Sequence, residues 1–298
     1  MKISVIICTK DREDDLKKTI QTLIHQTRLP DELIVVDSTN PPIISHYFSS
    51  ENLPFSIKYE NSLPGLPHQR NIGIDLSHGE LITFFDDDVL LSPEYFYEIE
   101  QVFLNDKNSE IGAVSGRIIN YPGSENISWL SKAKQMLYDC YSTIFLLSKL
   151  GNGKFRFSGN PTHSHQDNFG HFIECLSGGC TSFRRQIFDH VRFDENMNGY
   201  AFMEDTDISK QVLNLGYKAY YCAKAQLIHN VSKTGRIDEK LLYEMIIRNQ
   251  IYLFEKNWST SFLRKVAFIW SLLGFFILNF HHKLRRQGML KAFRYLKD

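Results

Sequence analysis

The sequence predicts an α/β fold: a mostly parallel sheet flanked by helices, with a helical extension at its C-terminal end. Three observations lead to it. Short β-branched or apolar runs recur in the first 90 residues, at 3–8, 32–37, 55–60 and 80–85. Segments with helical spacing of apolar residues alternate with them, the pattern of parallel strands covered on both faces. Polar and acidic residues gather just beyond the ends of these runs, where ligands bind in open sheets of this kind. At 298 residues and 43% hydrophobic content, the chain can bury one large domain of this type.

The first run, "ISVIIC", is bounded by the polar "TKDR", after which Leu16, Ile20, Leu23 and Ile24 recur at helical spacing. Pro30 and Asp31 break that helix before the second strand, "ELIVVD", which ends in Asp37. "FSIKYE" gives the third strand. "PGLPHQRNIGIDL" reads as a Pro/Gly loop leading into a short helix, and "ELITFF" is the fourth strand, ending at Asp86, Asp87 and Asp88. Further on, Glu204 and Asp205 open a helix with Ile208, Val212 and Leu215 on one side, and His229 follows a short apolar strand.

Lysine plus arginine and aspartate plus glutamate number 34 each, so no global field attracts nucleic acid, and none is expected as a partner. Residues 256–298 hold nine of the cations and one acid, which leaves 25 cations against 33 acids before them. The body is acidic and the tail basic. Cys8, Cys140, Cys175, Cys180 and Cys222 form no C-x-x-C pair and no metal-ligand spacing, so reduced thiols in a cytoplasmic protein are expected. The first apolar run is too short and too strand-like for a signal peptide, and no repeat or low-complexity segment stands out.

Three adjacent carboxylates at the end of a buried strand repel one another and are costly to desolvate unless a cation is near. A solvated loop would accommodate them. The sheet, however, brings Thr9, Lys10, Asp37 and residues 86–88 to one edge. No G-x-G-x-x-G follows the first strand, and no G-x-x-x-x-G-K-[ST] occurs. A diphosphate at this edge then needs a hard divalent cation held by carboxylates.

"SVIICTKDR", "ELIVVDS", "RNIGID", "FFDDDV", "SGGCTSFRR", "MEDTDISKQVLNLGY" and "RNQIYLFEKN" together resemble, in order and spacing, the family 2 inverting glycosyltransferases, over residues 3–257. The resemblance implies the GT-A fold, a Rossmann-like sheet, in a domain over 1–257. Its nucleotide-binding half is expected over about 1–118 and its acceptor-binding half over about 119–257. It implies a nucleotide-diphospho-sugar donor, a divalent metal, Mg²⁺ or Mn²⁺, and a glycan or lipid-linked saccharide acceptor. Thr9 and Asp37 would contact the nucleoside, with Arg70 near the base. Asp86 and Asp87 would serve nucleotide and metal and Asp88 the metal, in the manner of the family's D-x-D, with the register open by one residue. Gly178 and Gly179 would belong to the donor-sugar and acceptor pocket, an ordinary turn being the alternative. Asp205 would accept the acceptor's proton, with Glu204 beside it, unless the two merely cap their helix. His229 would be a third metal ligand or a hydrogen-bonded loop residue. His163 and His165 match no motif and read as loop residues.

Two other readings remain at this point. A sugar-phosphate nucleotidyltransferase shares a similar sheet but needs a glycine-rich loop after the first strand, which is missing. A noncatalytic sugar-nucleotide-binding or membrane scaffold protein would have no need of Glu204 and Asp205. Residues 266–280, "VAFIWSLLGFFILNF", are apolar almost all round, with Arg264 and Lys265 before them and Lys283, Arg285 and Arg286 after. A spanning helix needs about 20 such residues, so an interfacial or re-entrant helix, a core helix and a dimer contact compete. The basic flanks favour peripheral attachment of 258–298 to anionic lipid at the cytoplasmic face of the membrane.

Overall fold

Strand β1 (Ile3–Thr9) illustrates how the sheet follows from its sequence. Side chains alternate along a strand, so Val5 and Ile7 enter one apolar cluster while Ile6 enters the cluster on the other face. The next strand does the same with Leu33 and Val35 against Ile34 and Val36. A run apolar at every position is therefore buried on both sides. The computed structural model describes residues 1–42, 53–120, 129–164, 167–197, 201–231 and 237–294.

After β1 come α1 (Glu13–Ile24), β2 (Glu32–Asp37), β3 (Ser56–Asn61), α2 (Leu66–Leu76), β4 (Leu81–Phe85), β5 (Val89–Leu91), α3 (Tyr95–Asn105) and β6 (Ile111–Ile118). The chain continues through α4 (Trp129–Ile144), β7 (Lys149–Leu150), β8 (Thr162–His163), β9 (His171–Ile173), β10 (Cys180–Arg184), α5 (Glu204–Asn214) and β11 (Lys218–His229). Helices α6 (Glu239–Asn257), α7 (Phe262–Asn279) and α8 (Lys283–Arg294) follow.

The main sheet has the order β3-β2-β1-β4-β10-β6-β11-β5, with β9 added on β11. Strands β1, β2, β3, β4, β6 and β11 run in one direction, and β5, β9 and β10 run against them. The sheet is thus mostly parallel, as expected, and helices flank it. Two antiparallel pairings shape the ligand edge. β10 starts with Cys180 opposite Phe85, which sets Gly179 beside Asp86. β11, at 12 residues longer than its sequence suggests, ends with His229 opposite Val89.

The C-terminal helices form a third cluster. Ile247, Leu253, Phe254, Trp258, Phe268 and Met289 pack with Met197 and Ala201, just ahead of α5. Lys256 on α6 reinforces the junction, its ammonium 2.6 Å from Asp194 Oδ2 and 2.9 Å from Asp207 Oδ2 in the first turn of α5. The apolar helix starts at Phe262, ahead of the 266–280 run. It buries Phe268, Ser271 and Gly274 and turns Leu263, Ile269, Leu273 and Ile277 outward. Its inner side therefore belongs to the core while its outer side faces solvent.

Candidate functional site

The triple aspartate lies in the turn between β4 and β5, and helix α1 clamps that turn. Thr19 Oγ1 donates to the carbonyls of Asp87 and Val89 at 2.8 and 2.9 Å. Asp87 turns inward: its Oδ2 accepts from the Thr9 hydroxyl at 2.7 Å and its Oδ1 from Arg12 Nη1 at 3.0 Å. Burial pushes its carboxyl up to about 6, against the pull of Thr9 and Arg12. Asp88 is equally buried, with Oδ1 3.0 Å from His229 Nε2, whereas Asp86 stays partly exposed with Oδ2 3.8 Å from the same nitrogen. The Asp88 carboxylate, accepting from the ring, raises His229 above its ordinary value, against burial. Asp86, Asp88 and His229 present one ligand atom each, all within 4.8 Å of one another. Two carboxylates and an imidazole are a donor set that can hold a divalent cation, the carboxylate oxygens suiting Mn²⁺ or Mg²⁺ and the imidazole favouring a transition metal. Asp87 stands outside this group.

Arg70, on α2, connects the aspartate turn to the later half of the chain. It is 3% exposed, lying over the rings of Phe84 and Phe193 at 5.7 and 5.0 Å. Its Nη1 donates to Glu204 Oε1 at 2.7 Å, its Nη2 to the Gly178 carbonyl at 3.1 Å, and Nη2 is 3.8 Å from Asp86 Oδ1. Burial alone would lower its pKa, but Glu204 and Asp86 hold it above the usual value. Burial pushes Glu204 up to about 7, Arg70 pulling the other way and Asp205 adding to the rise. Glu204, in the first turn of α5, is thus an ion-pair partner of α2. Asp205 Oδ1 accepts from the Thr206 N–H at 2.7 Å, a local turn that fixes its carboxylate at the positive end of α5.

Gly178 and Gly179 are needed for side chains of the protein itself. A Cβ on Gly178 would stand 2.7 Å from Glu204 Oε1, and one on Gly179 2.3 Å from Asp86 Oδ2. The pair makes room for two site carboxylates, which is more than an ordinary turn requires. Asp37 is fully buried; its Oδ1 accepts from Thr39 N at 2.8 Å and its Oδ2 from the Tyr59 hydroxyl at 2.7 Å. It anchors the loop beyond β2, on the same edge as Thr9.

Sequence reasoning missed three contributors. Arg12 supplies the positive charge that the triple aspartate calls for, and its place in the loop after β1 was the available signal. Tyr59, at the same edge, orients Asp37. His163 lies in β8 and not in a loop, where burial pushes its ring down and the charge of Asp205 pulls it up; His165 lies outside the described residues. All five cysteines are free, and burial pushes the Cys8 thiol, beside the site, up to about 12. It stays protonated and is no nucleophile.

Comparison with known proteins places this geometry in context. The family model described as glycosyl transferase family 2 matches residues 4–192. A glucosyl-dolichyl phosphate glucuronosyltransferase of Haloferax volcanii is 25% identical over 248 residues, 81% of this chain and 70% of that protein. Glycosyltransferase GlyA of Streptococcus pneumoniae is 21% identical over 78% of this chain, which spans only 31% of that longer protein. Among solved structures, S. aureus TarS 1–349 superposes with a TM-score of 0.54 at 15% identity, covering 98% of this chain and 79% of that one. The mannosyltransferase PcManGT of Pyrobaculum calidifontis, in complex with GDP-Man and Mn²⁺, gives 0.56 at 14% identity, covering 99% and 80%.

Proposed function

The chain belongs to glycosyltransferase family 2, and from that premise we propose that it moves a sugar from a nucleotide-diphospho-sugar to a hydroxyl of a glycan or lipid-linked saccharide, with inversion at the anomeric carbon. The observation that carries the reading is the joining of two carboxylate sites through one buried cation. Arg70 touches both Glu204, next to Asp205, and the edge of the Asp86, Asp88 and His229 group. The solved neighbour holding GDP-Man and Mn²⁺ and the dolichyl-phosphate relative support the donor, metal and acceptor classes.

Asp86, Asp88 and His229 hold the divalent cation in this reading, which when bound stabilises charge gathering on the departing diphosphate. Thr9 and Asp37 border the nucleoside, and Asp87, held by Thr9 and Arg12, keeps the turn rigid. Asp205 accepts the proton of the acceptor hydroxyl, a poor nucleophile until that proton leaves, and such a base contributes about 10²- to 10⁴-fold. Attack from the side opposite the diphosphate inverts the sugar's configuration. Arg70 neutralises Glu204 and leaves the Asp205 carboxylate to act. The outward apolar face of α7 and the basic residues around it support attachment at the cytoplasmic face of a membrane.

The test pairs two substitutions after a panel of nucleotide-sugars has identified the donor. Asp88→Asn is expected to remove metal-dependent nucleotide binding in calorimetry. Asp205→Asn is expected to keep that binding and lower transfer by roughly 10²- to 10⁴-fold. Transfer at the wild-type rate in the second variant would move the base to Glu204.

A further inference from the structure

Away from the donor edge, a cleft of about 530 Å³ opens beside α5, with Arg156, Lys210, Arg264, Glu174, Phe157 and Trp258 among its walls. Three cations face one acid. Glu174 is engaged by the backbone, its Oε2 accepting from Phe155 N at 2.9 Å. Among the described residues, no carboxylate forms an ion pair with any of the three cations. Arg156 donates through Nη1 to the Ser142 carbonyl at 2.8 Å, while its Nε is buried with no hydrogen-bond partner. Arg264 lies over the Phe157 ring at 4.8 Å.

A guanidinium keeps its charge when buried, and a buried N–H without an acceptor is unfavourable. Burial does lower the Arg156 pKa, and an anion in the cleft would reverse that loss. Phosphate oxygens match guanidinium forks and an ammonium. The rim is partly apolar: Phe157 is 47% exposed, and Leu213 and Trp258 line the cleft with it. Lys210 stands five residues after Asp205, about 7.5 Å of helix rise.

We propose that this cleft holds the phosphate of an amphiphile, with Arg156, Lys210 and Arg264 on its oxygens and its apolar part along Phe157 and Leu213. Only the use of the site rests on the glycosyltransferase reading: in an enzyme with Asp205 as base, the phosphate is that of a lipid-linked acceptor. A bilayer phospholipid headgroup is the other source of the same chemistry.

The full-length protein is titrated calorimetrically with octyl phosphate below its micelle point, with octyl glucoside as the uncharged control. Octyl phosphate is expected to bind and octyl glucoside not to. Lys210→Gln and Arg264→Gln are each expected to weaken binding by about tenfold. Both leave the Arg156–Ser142 contact alone, but Arg264→Gln also loses the contacts with Phe157. The Lys210 side chain forms no hydrogen bond or ion pair among the described residues, so Lys210→Gln is the variant that folding does not confound. Equal octyl phosphate affinity in wild type and variants, or no binding to wild type, overturns the proposal. Binding of UDP or GDP with Mn²⁺ in the same samples tests the family reading separately, because none of these residues borders the donor edge. Phosphatidylglycerol vesicles then distinguish the sources. Variants that lose octyl phosphate and vesicles together assign a bilayer headgroup, and variants that lose octyl phosphate but still float assign a single lipid-linked phosphate.

Discussion

Replacing Lys256 by methionine removes one charge and keeps most of the side chain's apolar length. In the native fold its ammonium bridges Asp194 and Asp207. Asp207 is 1% exposed and would keep Gln211 Nε2 at 2.7 Å and Asn257 Nδ2 at 3.4 Å. Breaking a buried pair by deleting one partner typically costs about 3–5 kcal/mol. Lys256 is 31% exposed, so solvent offsets part of the loss and about 2–3 kcal/mol is expected at pH 7. Asp194 gives a second estimate. Burial pushes its carboxyl up, but the hydrogen bonds from Lys256 and Tyr252 outweigh that and bring it from 3.8 to about 2. The shift corresponds to about 2 kcal/mol, shared among Lys256, Tyr252 and the Asn196 N–H, so that about 1 kcal/mol falls to Lys256 after screening. Between these two values the unfolded chain binds more protons than the native one. The contribution is therefore present above about pH 4 and is lost as pH falls towards 2. Urea unfolding of wild type and Lys256→Met at pH 7, and again at stepped pH values from 4 to 2, measures both quantities. A difference under about 0.5 kcal/mol at pH 7, or one that does not shrink on acidification, refutes the reasoning.

Gly179→Ala sets a Cβ 2.3 Å from Asp86 Oδ2 and 2.7 Å from its Cγ, so the Asp86 carboxylate must leave its present position beside His229. Calorimetry with Mn²⁺ and nucleotide is expected to register about a 10- to 100-fold loss of affinity, and an unchanged value counts against Asp86 as a ligand. For the tail, the full chain is expected to float with phosphatidylglycerol vesicles and not with phosphatidylcholine vesicles, less so as salt rises. The double variant Leu263→Asp, Ile269→Asp is expected to stay behind while keeping its fold. Flotation that ignores lipid charge or salt removes the membrane assignment, and dimerisation in sedimentation analysis would give the face to a second copy.

Strands β1, β2 and β4 and helix α1 are legible in the sequence because their periodicity is local and nearly every residue obeys it. β7, β8 and β9 span two or three residues each, too short for any period, and only the neighbouring chain decides that they pair. The same limit applies within the site. Residues 86–88 announce a need for positive charge, but which carboxylate faces which cation depends on the clamp by Thr19 and on β11 returning from far along the chain. Arg12 was within reach, since a cation in the first strand's loop must lie near the fourth strand's end when β1 pairs with β4. The one-sided burial of α7 was not within reach. Its residues are apolar almost all round, and composition alone cannot separate the side that packs against Phe145 and Phe254 from the side that faces outward.

His229 and the residue after Asp88 are opposed in one antiparallel ladder, although about 140 residues of chain separate them. Their separation is set by backbone pairing, and a slip of one residue would turn the imidazole to the other face. β6 fixes the other side of β11, pairing Ile118 with Leu227. The chain between Asn120, which hydrogen-bonds the His229 backbone, and β9, which pairs with β11, can therefore vary while the ladder holds Asp88 and His229 still. Such a scaffold is modular in the engineer's sense: one end is fixed by strand pairing, and the segment between its anchors is free to differ.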